Sequence, residues 1–213
     1  KLGYGPEILT VRQLNFAHID QVAAEAGPFD FILADLGVSS MQIDNPERGF
    51  SFKKDGPLDL RLDSEKGIPA SQRLMTISRE ELQGMLIENS DEPYAEEIAK
   101  AIVNEIKRGN EITTTTRLRE VIETALSFIP EADRKEAVKK SCQRTFQALR
   151  IDINSEFEVL YQFLEKLPDV LAPGGRVAIL TFHSGEDRIV KKSFKQLHKA
   201  GIYSEIASDV VRP

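Results

Sequence analysis

Phe29-Asp30-Phe31-Ile32-Leu33-Ala34-Asp35-Leu36-Gly37-Val38-Ser39-Ser40 is the stretch on which the reading of this chain turns. Phe29 to Leu36 is a short apolar run of the length and β tendency expected of a strand buried on both faces. A carboxylate, Asp35, stands where the run ends. The small residues Gly37, Ser39 and Ser40 follow, and they suit a turn where backbone approaches something closely. Ligands of open parallel sheets bind beyond the carboxyl ends of the strands, so an acid at that end is a site candidate. The same residues also fit a strand followed by a solvated turn with Asp35 as a helix cap, and the strand alone does not separate the two.

Downstream, Arg48-Gly49-Phe50-Ser51-Phe52 and Asp55-Gly56-Pro57-Leu58-Asp59-Leu60-Arg61 have no helical or strand period. Long loops of this kind are functional or disordered, and two phenylalanines argue against disorder. Upstream, Ile8 to Leu14 alternates as a strand would. A helix is predicted from His18 to Ala26, closed by Gly27-Pro28. Strand, helix and strand in that spacing predict a parallel crossover unit.

From Leu62 to Lys140 the texture becomes helix after helix. Ser78-Arg79-Glu80-Glu81 reads as a capping box, Ile98, Ile102 and Ile106 make one apolar stripe, and Thr113 to Thr116 offers hydroxyl caps to the next helix. A basic helix follows from about Ala132. Ser155 to Glu158 reads as a second capping box, opening a helix with Phe157, Leu160, Tyr161 and Leu164 inward. Leu171-Ala172-Pro173-Gly174-Gly175 predicts a turn, Arg176 to Phe182 a strand, and Ser184 a cap for a helix ending at Gly201. Ile202 to Ile206 is a further candidate strand. The expected architecture is α/β, a partial sheet domain of residues 1–61 and 141–213 interrupted by a helical insertion at 62–140.

The size of 213 residues suits one full core or a core with a smaller lobe, and the balance of apolar and charged residues is that of an ordinary globular chain. The single cysteine, Cys142, excludes an internal disulfide and fits a reducing, cytoplasmic setting. No run is apolar enough to predict a membrane span, and no metal-ligand spacing predicts a metal. A net charge of −6 argues against coating nucleic acid, yet residues 134–150 hold six basic side chains against one acid, Glu136. Such a run fits a local nucleic-acid footprint and equally a solvated helix face.

Asp35-Leu36-Gly37-Val38-Ser39-Ser40 through Arg61 closely resembles the signature of the ribosomal RNA small subunit methyltransferase H (MraW) family. Similar blocks are Tyr94 to Ile102, Arg144-Thr145-Phe146-Gln147-Ala148-Leu149-Arg150-Ile151 with Asn154, and Leu171 through Phe182-His183-Ser184 to Val190. The resemblance implies a Rossmann-like class I methyltransferase sheet, incomplete at the N-terminus, with S-adenosylmethionine as methyl donor. It also implies N4 of a cytidine in small-subunit ribosomal RNA as the acceptor. RNA or the 30S particle is then the partner, a homodimer is open, and no membrane is involved. The family's glycine-rich loop and ribose-holding acid do not precede Ile8, and its basic tail does not follow Pro213. Gly185 stands where many members carry leucine, and Ser141-Cys142 where His-Pro is usual.

Carried over by the resemblance, Phe16, Asp35 and Gln42 are the expected cofactor contacts. Phe16 and Gln42 read otherwise as a core residue and a solvated polar residue. The amine of cytosine is a poor nucleophile because its lone pair is delocalised into the ring. Acceptors that bind its hydrogens orient it, and negative charge stabilises the nitrogen as it becomes cationic. Asp35 is the expected catalytic acceptor, and His183 the alternative for taking the proton, or else a histidine bonded within its own turn. Phe50 and Phe52 are candidate base-stacking surfaces, or else pins that hold the loop to the core. Arg48, Arg61, Arg144 and Arg150 are candidate phosphate contacts. Two other readings compete, a non-catalytic fragment that keeps an RNA- or partner-binding surface, and a nicotinamide-dependent oxidoreductase. The second lacks any Gly-x-Gly-x-x-Gly after a strand.

Overall fold

In a computed structural model, residues 3–210 are described. The predicted domain limits at Lys1 and Pro213 lie outside that range. Two compact units emerge, an α/β unit of Lys1–Leu36 with Glu158–Pro213 and a helical unit of Gly37–Phe157.

In the α/β unit a 3₁₀ turn, Phe16–His18, leads into α1 (Ile19–Ala26), and strand β1 is Phe29–Asp35. Its partner β2, Leu171–Leu180, pairs with it in parallel, with Ile32 opposite Val177 and Asp35 opposite Leu180. The expected turn at Pro173-Gly174-Gly175 is instead carried inside β2 as an irregularity, since Phe29 faces Leu171 but Phe31 already faces Arg176. Gly174, at φ 79°, takes the left-handed conformation that this extra length requires. Helix α9 (Ser184–Lys199) follows β2.

Three expectations fail here. Ile8 to Leu14 is not a strand. Val11 is 83% exposed, and without a neighbouring strand an extended segment has no ladder to join. Ile202 to Ile206 is turn and coil for the same reason, so the parallel pair joins two strands distant in sequence. Nor is β1 buried on both faces. Ile32 is 8% exposed, but its alternating neighbours Phe31 and Leu33 are 59% and 58% exposed, because the sheet has two strands among the described residues.

The helical unit holds α2 (Ser40–Asp44), a 3₁₀ turn at Pro46–Arg48, α3 (Ala70–Thr76), α4 (Arg79–Ser90), α5 (Ala95–Lys107), α6 (Thr115–Ala125) and α7 (Glu131–Asn154). Helix α8 (Glu156–Val170) starts in this unit and ends in the other. The stripe Ile98 and Ile102 is fully buried, and Leu118 and Ile122 of α6 join the same core, as the apolar spacing predicts. The sequence seams at 61/62 and 140/141 move to 36/37 and 157/158. Leu58 and Leu60, each 1% exposed, insert into the helical core, and so do Phe146, Ala148 and Leu149 of α7.

The capping expectations divide. Ser78 accepts the Glu81 amide as predicted, but the Glu81 carboxylate pairs with Arg73 at 2.5 Å instead of closing the box. Ser155, at φ 49°, is the left-handed end of α7 rather than the start of a capping box. A complete box forms at Ser39 and Gln42, where it was not expected. His183, not Ser184, caps α9.

Candidate active site and RNA-facing surfaces

The pairing register decides where the α/β unit gathers its chemistry. Asp35 sits opposite Leu180, and the Leu36 amide donates to the Leu180 carbonyl at 3.2 Å. The acidic tip of β1 and the Phe182-His183-Ser184 corner therefore emerge at the same, carboxyl, end of the sheet. The Asp35 side chain is exposed there, and Phe182 beside it is 68% exposed.

The corner is braced by its own helix start. The Glu186 amide donates to His183 Nδ1 at 3.4 Å, and the Phe182 amide donates to Glu186 Oε2 at 2.8 Å. His183 Nε2 lies 3.3 Å from Glu186 Oε1, and the two side chains are 11% and 5% exposed. Both ring nitrogens of His183 thus face Glu186. The arrangement is a capping exchange in which a histidine replaces the usual hydroxyl. Glu186 was not singled out from the sequence, although its position three residues after the cap was the available signal.

Phe16 opens the 3₁₀ turn before α1. Its ring meets Phe163 edge-on, with centroids 5.2 Å apart, and keeps 40% of its surface exposed. An aromatic face and a carboxylate, both open, suit an adenine ring and a polar group of a nucleoside cofactor. The residues of this unit named for S-adenosylmethionine therefore fit that group.

The remaining expected site residues belong to the helical unit. Gln42 is half-buried, and its Oε1 accepts the Ser39 amide at 3.0 Å, which leaves its NH₂ as the group able to bind outward. Arg48 donates to the Arg61 and Leu62 carbonyls at 2.9 and 2.8 Å and lies 5.7 Å above the Phe50 ring. Arg61 grips Asp59 through two 2.8 Å bonds, and this guanidinium holds the Asp59 carboxyl below the usual carboxylate range. Arg150 grips Glu156 in the same bidentate way at 2.7 and 3.0 Å. Phe50 and Phe52 pack against the core, and Phe52 meets Phe146 edge-on at 5.7 Å. Arg144, half-buried, is the one of these four arginines with no hydrogen bond or ion pair among the described residues.

The loop carrying Arg48 to Arg61 is built, not loose. Gly49 takes φ 69°, and a β-carbon there would collide with the Pro57 carbonyl. Leu60 is held at φ 66°, its amide bonded to the Arg48 carbonyl. Asn154 at the end of α7 donates to the Leu60 carbonyl at 2.8 Å and accepts the Leu62 amide at 2.7 Å. Asn154 thus pins a strained residue, and its long-range role had no local signal. Ser141 and Cys142 are core residues here. Ser141 donates to Glu92 Oε1 at 2.8 Å, and burial pushes the Cys142 thiol up to about 12.

Comparison with known proteins identifies the family of this chain. "Ribosomal RNA small subunit methyltransferase H 1" of Lachnoclostridium phytofermentans is 76% identical over 212 residues, covering 100% of this chain and 58% of the relative. The protein of the same name from Agathobacter rectalis is 68% identical, covering 99% of this chain and 60% of the relative. A "Ribosomal RNA small subunit methyltransferase H" of Halorhodospira halophila is 42% identical over 90% of this chain and 58% of its own length. The chain therefore spans about three-fifths of the length of these curated relatives. The family model described as the MraW methylase family matches residues 4–208, and with relatives this similar over nearly the whole chain, it belongs to the MraW methylase family.

Proposed function

We propose that this chain is part of an S-adenosylmethionine-dependent methyltransferase that acts on N4 of a cytidine in small-subunit ribosomal RNA. The observation that carries the reading is the shared carboxyl end of β1 and β2, from which both the exposed Asp35 carboxylate and the braced Phe182–Ser184 corner emerge. Family membership and the relatives' names support methyl transfer to ribosomal RNA.

When bound, the cofactor supplies an electrophilic methyl carbon on a sulfonium. The chain's own residues do the rest. Phe16 offers its open face to the adenine. Asp35 accepts a hydrogen bond from the N4 amine, which draws the nitrogen out of ring conjugation and aims its lone pair. Such alignment is capped at about 7–11 kcal/mol of the barrier. As N4 becomes cationic the carboxylate stabilises it and takes the proton it sheds, and its exposure gives that proton a way to water. His183 serves by fixing the corner, because its nitrogens face Glu186.

The target base reaches such a pocket unpaired or flipped from its stack. Arg144 offers the free guanidinium for phosphate. Arg48 and Arg61, with Phe50 and Phe52, hold their own loop in shape, and Arg150 grips Glu156 at the start of α8. The 30S particle is the expected substrate form, the cytoplasm the expected site of action, and a homodimer the assembly to look for. No helix among the described residues is long and apolar enough to cross a membrane.

The test is mass spectrometry of ribosomal RNA from 30S particles incubated with the full-length protein and labelled cofactor. Label on a cytidine N4 is the expected result. Label on carbon 5 or on the ribose would overturn the assignment of the acceptor.

A further inference from the structure

The helical unit contains a groove of about 460 Å³ between α6 and α7 that none of the residues discussed above for the cofactor or the reacting base occupies, save Phe52 in its wall. Arg119 reaches it from α6, and Arg134, Lys135 and Lys139 reach it from α7, against two carboxylates, Glu123 and Glu131. In a chain of net charge −6 this local excess is a matter of placement, not composition.

The state of each cation matters more than the count. Arg119 and Lys135 are exposed and have no hydrogen bond or ion pair among the described residues. Lys139 reaches only the exposed Glu136, at 3.8 Å, a contact worth little in water. Arg134 is fixed by the Ser127 and Ile129 carbonyls at 2.7–2.9 Å through Nε and one terminal nitrogen, and its charge meets no carboxylate. The neighbouring wall is neutral, formed by Val138, the Phe52 ring and the un-ionised Cys142 thiol. On the same helix Lys140, outside the groove, is paired with Glu136 at 3.6 Å, whereas Arg119 and Lys135 have no such partner.

We propose that this groove is a track for the phosphate backbone of single-stranded RNA, with the exposed part of Phe52 as a base contact at its edge. The proposal rests on the RNA-methylating reading above and says where the strand runs beyond the reacting base. Phosphates suit several cations gathered in one groove, and an aromatic in the wall favours nucleic acid over an acidic peptide.

The experiment measures binding of a fluorescent single-stranded RNA oligonucleotide to the full-length protein across a salt series, by anisotropy. The double variant Arg119→Ala/Lys135→Ala is compared with Lys100→Glu, an exposed site on α5 outside the groove. Each lost phosphate contact on a single strand lowers the slope of log K against log salt by about 0.7, so the pair lowers it by roughly 1.4. The KM for RNA rises with kcat unchanged, and the melting temperature stays that of the unmodified protein. An unchanged slope in the double variant, an equal loss in Lys100→Glu, or poly-glutamate displacing the RNA at equal charge overturns the groove while leaving methyl transfer standing. Absence of RNA binding by the unmodified protein overturns both.

Discussion

In the helical unit Leu82, Leu86, Ile98, Ile102, Leu118 and Ile122 are fully buried, whereas in the α/β unit Phe31, Leu33, Leu180 and Phe182 keep about half or more of their surface exposed. The contrast follows from how each element satisfies its backbone. A helix bonds its own amides and carbonyls, so helices need only bury an apolar stripe against one another. A strand needs neighbours for its backbone and cover for both faces, and β1 and β2 have only each other among the described residues. Cohesion therefore concentrates in the helical unit, while the candidate reacting carboxylate stands on the open one.

That separation is breakable by mutation. Leu86→Ala removes a fully buried side chain and leaves a cavity, so chemical denaturation should show a loss of about 2–5 kcal/mol. A loss below 1 kcal/mol would mean that the core is looser than its burial implies. Asp35→Ala in the full-length protein should lower kcat about 10²–10³-fold, the scale of a lost charge stabiliser, with the melting temperature unchanged. Undiminished turnover removes Asp35 from the mechanism.

Asn154→Ala should cost about 1–3 kcal/mol, because the Leu62 amide and the Leu60 carbonyl lose their partner while Leu60 stays strained. Hydrogen exchange should quicken at Leu62 before it does in α5. The smallest effect belongs to the open sheet. Leu33→Ala, at a side chain 58% exposed, should shift stability by no more than about 0.5 kcal/mol. A loss as large as that of Leu86→Ala would erase the contrast between the units.

Acid sharpens the same contrast within the loop. Arg61 depresses the Asp59 carboxyl, so this pair stabilises the fold above the unfolded carboxylate value of about 3.9 and that contribution fades only as pH falls through the lower folded value. An NMR titration should find Asp59 still ionised where exposed carboxylates have already protonated. Titration together with them would mean the pair is not formed in solution.

Much of this was legible in the chain. The strand at Phe29 to Asp35, the α5 and α6 stripes and the family signature follow from local period and motif, which neighbouring residues suffice to set. The overturned expectations share a cause. Ile8 to Leu14 and Ile202 to Ile206 have strand texture, but texture without a partner makes no ladder. Arg61 and Arg150 read as candidate phosphate contacts, and that each also grips an acid, Asp59 or Glu156, had no signal in the sequence, because that placement depends on the fold.

The longer helices, the acid-tipped strand and the family signature could be read from the chain alone, because those are properties of short-range pattern and side-chain type, whereas the short α2 could not. That Asp35 and the Phe182–Ser184 corner share one end of the sheet, that Leu58 and Leu60 tie their loop to the helical core, and which cations remain unpaired came only with folding. Register, burial and ion pairing are relations between residues far apart along the chain, and they exist only once it has folded.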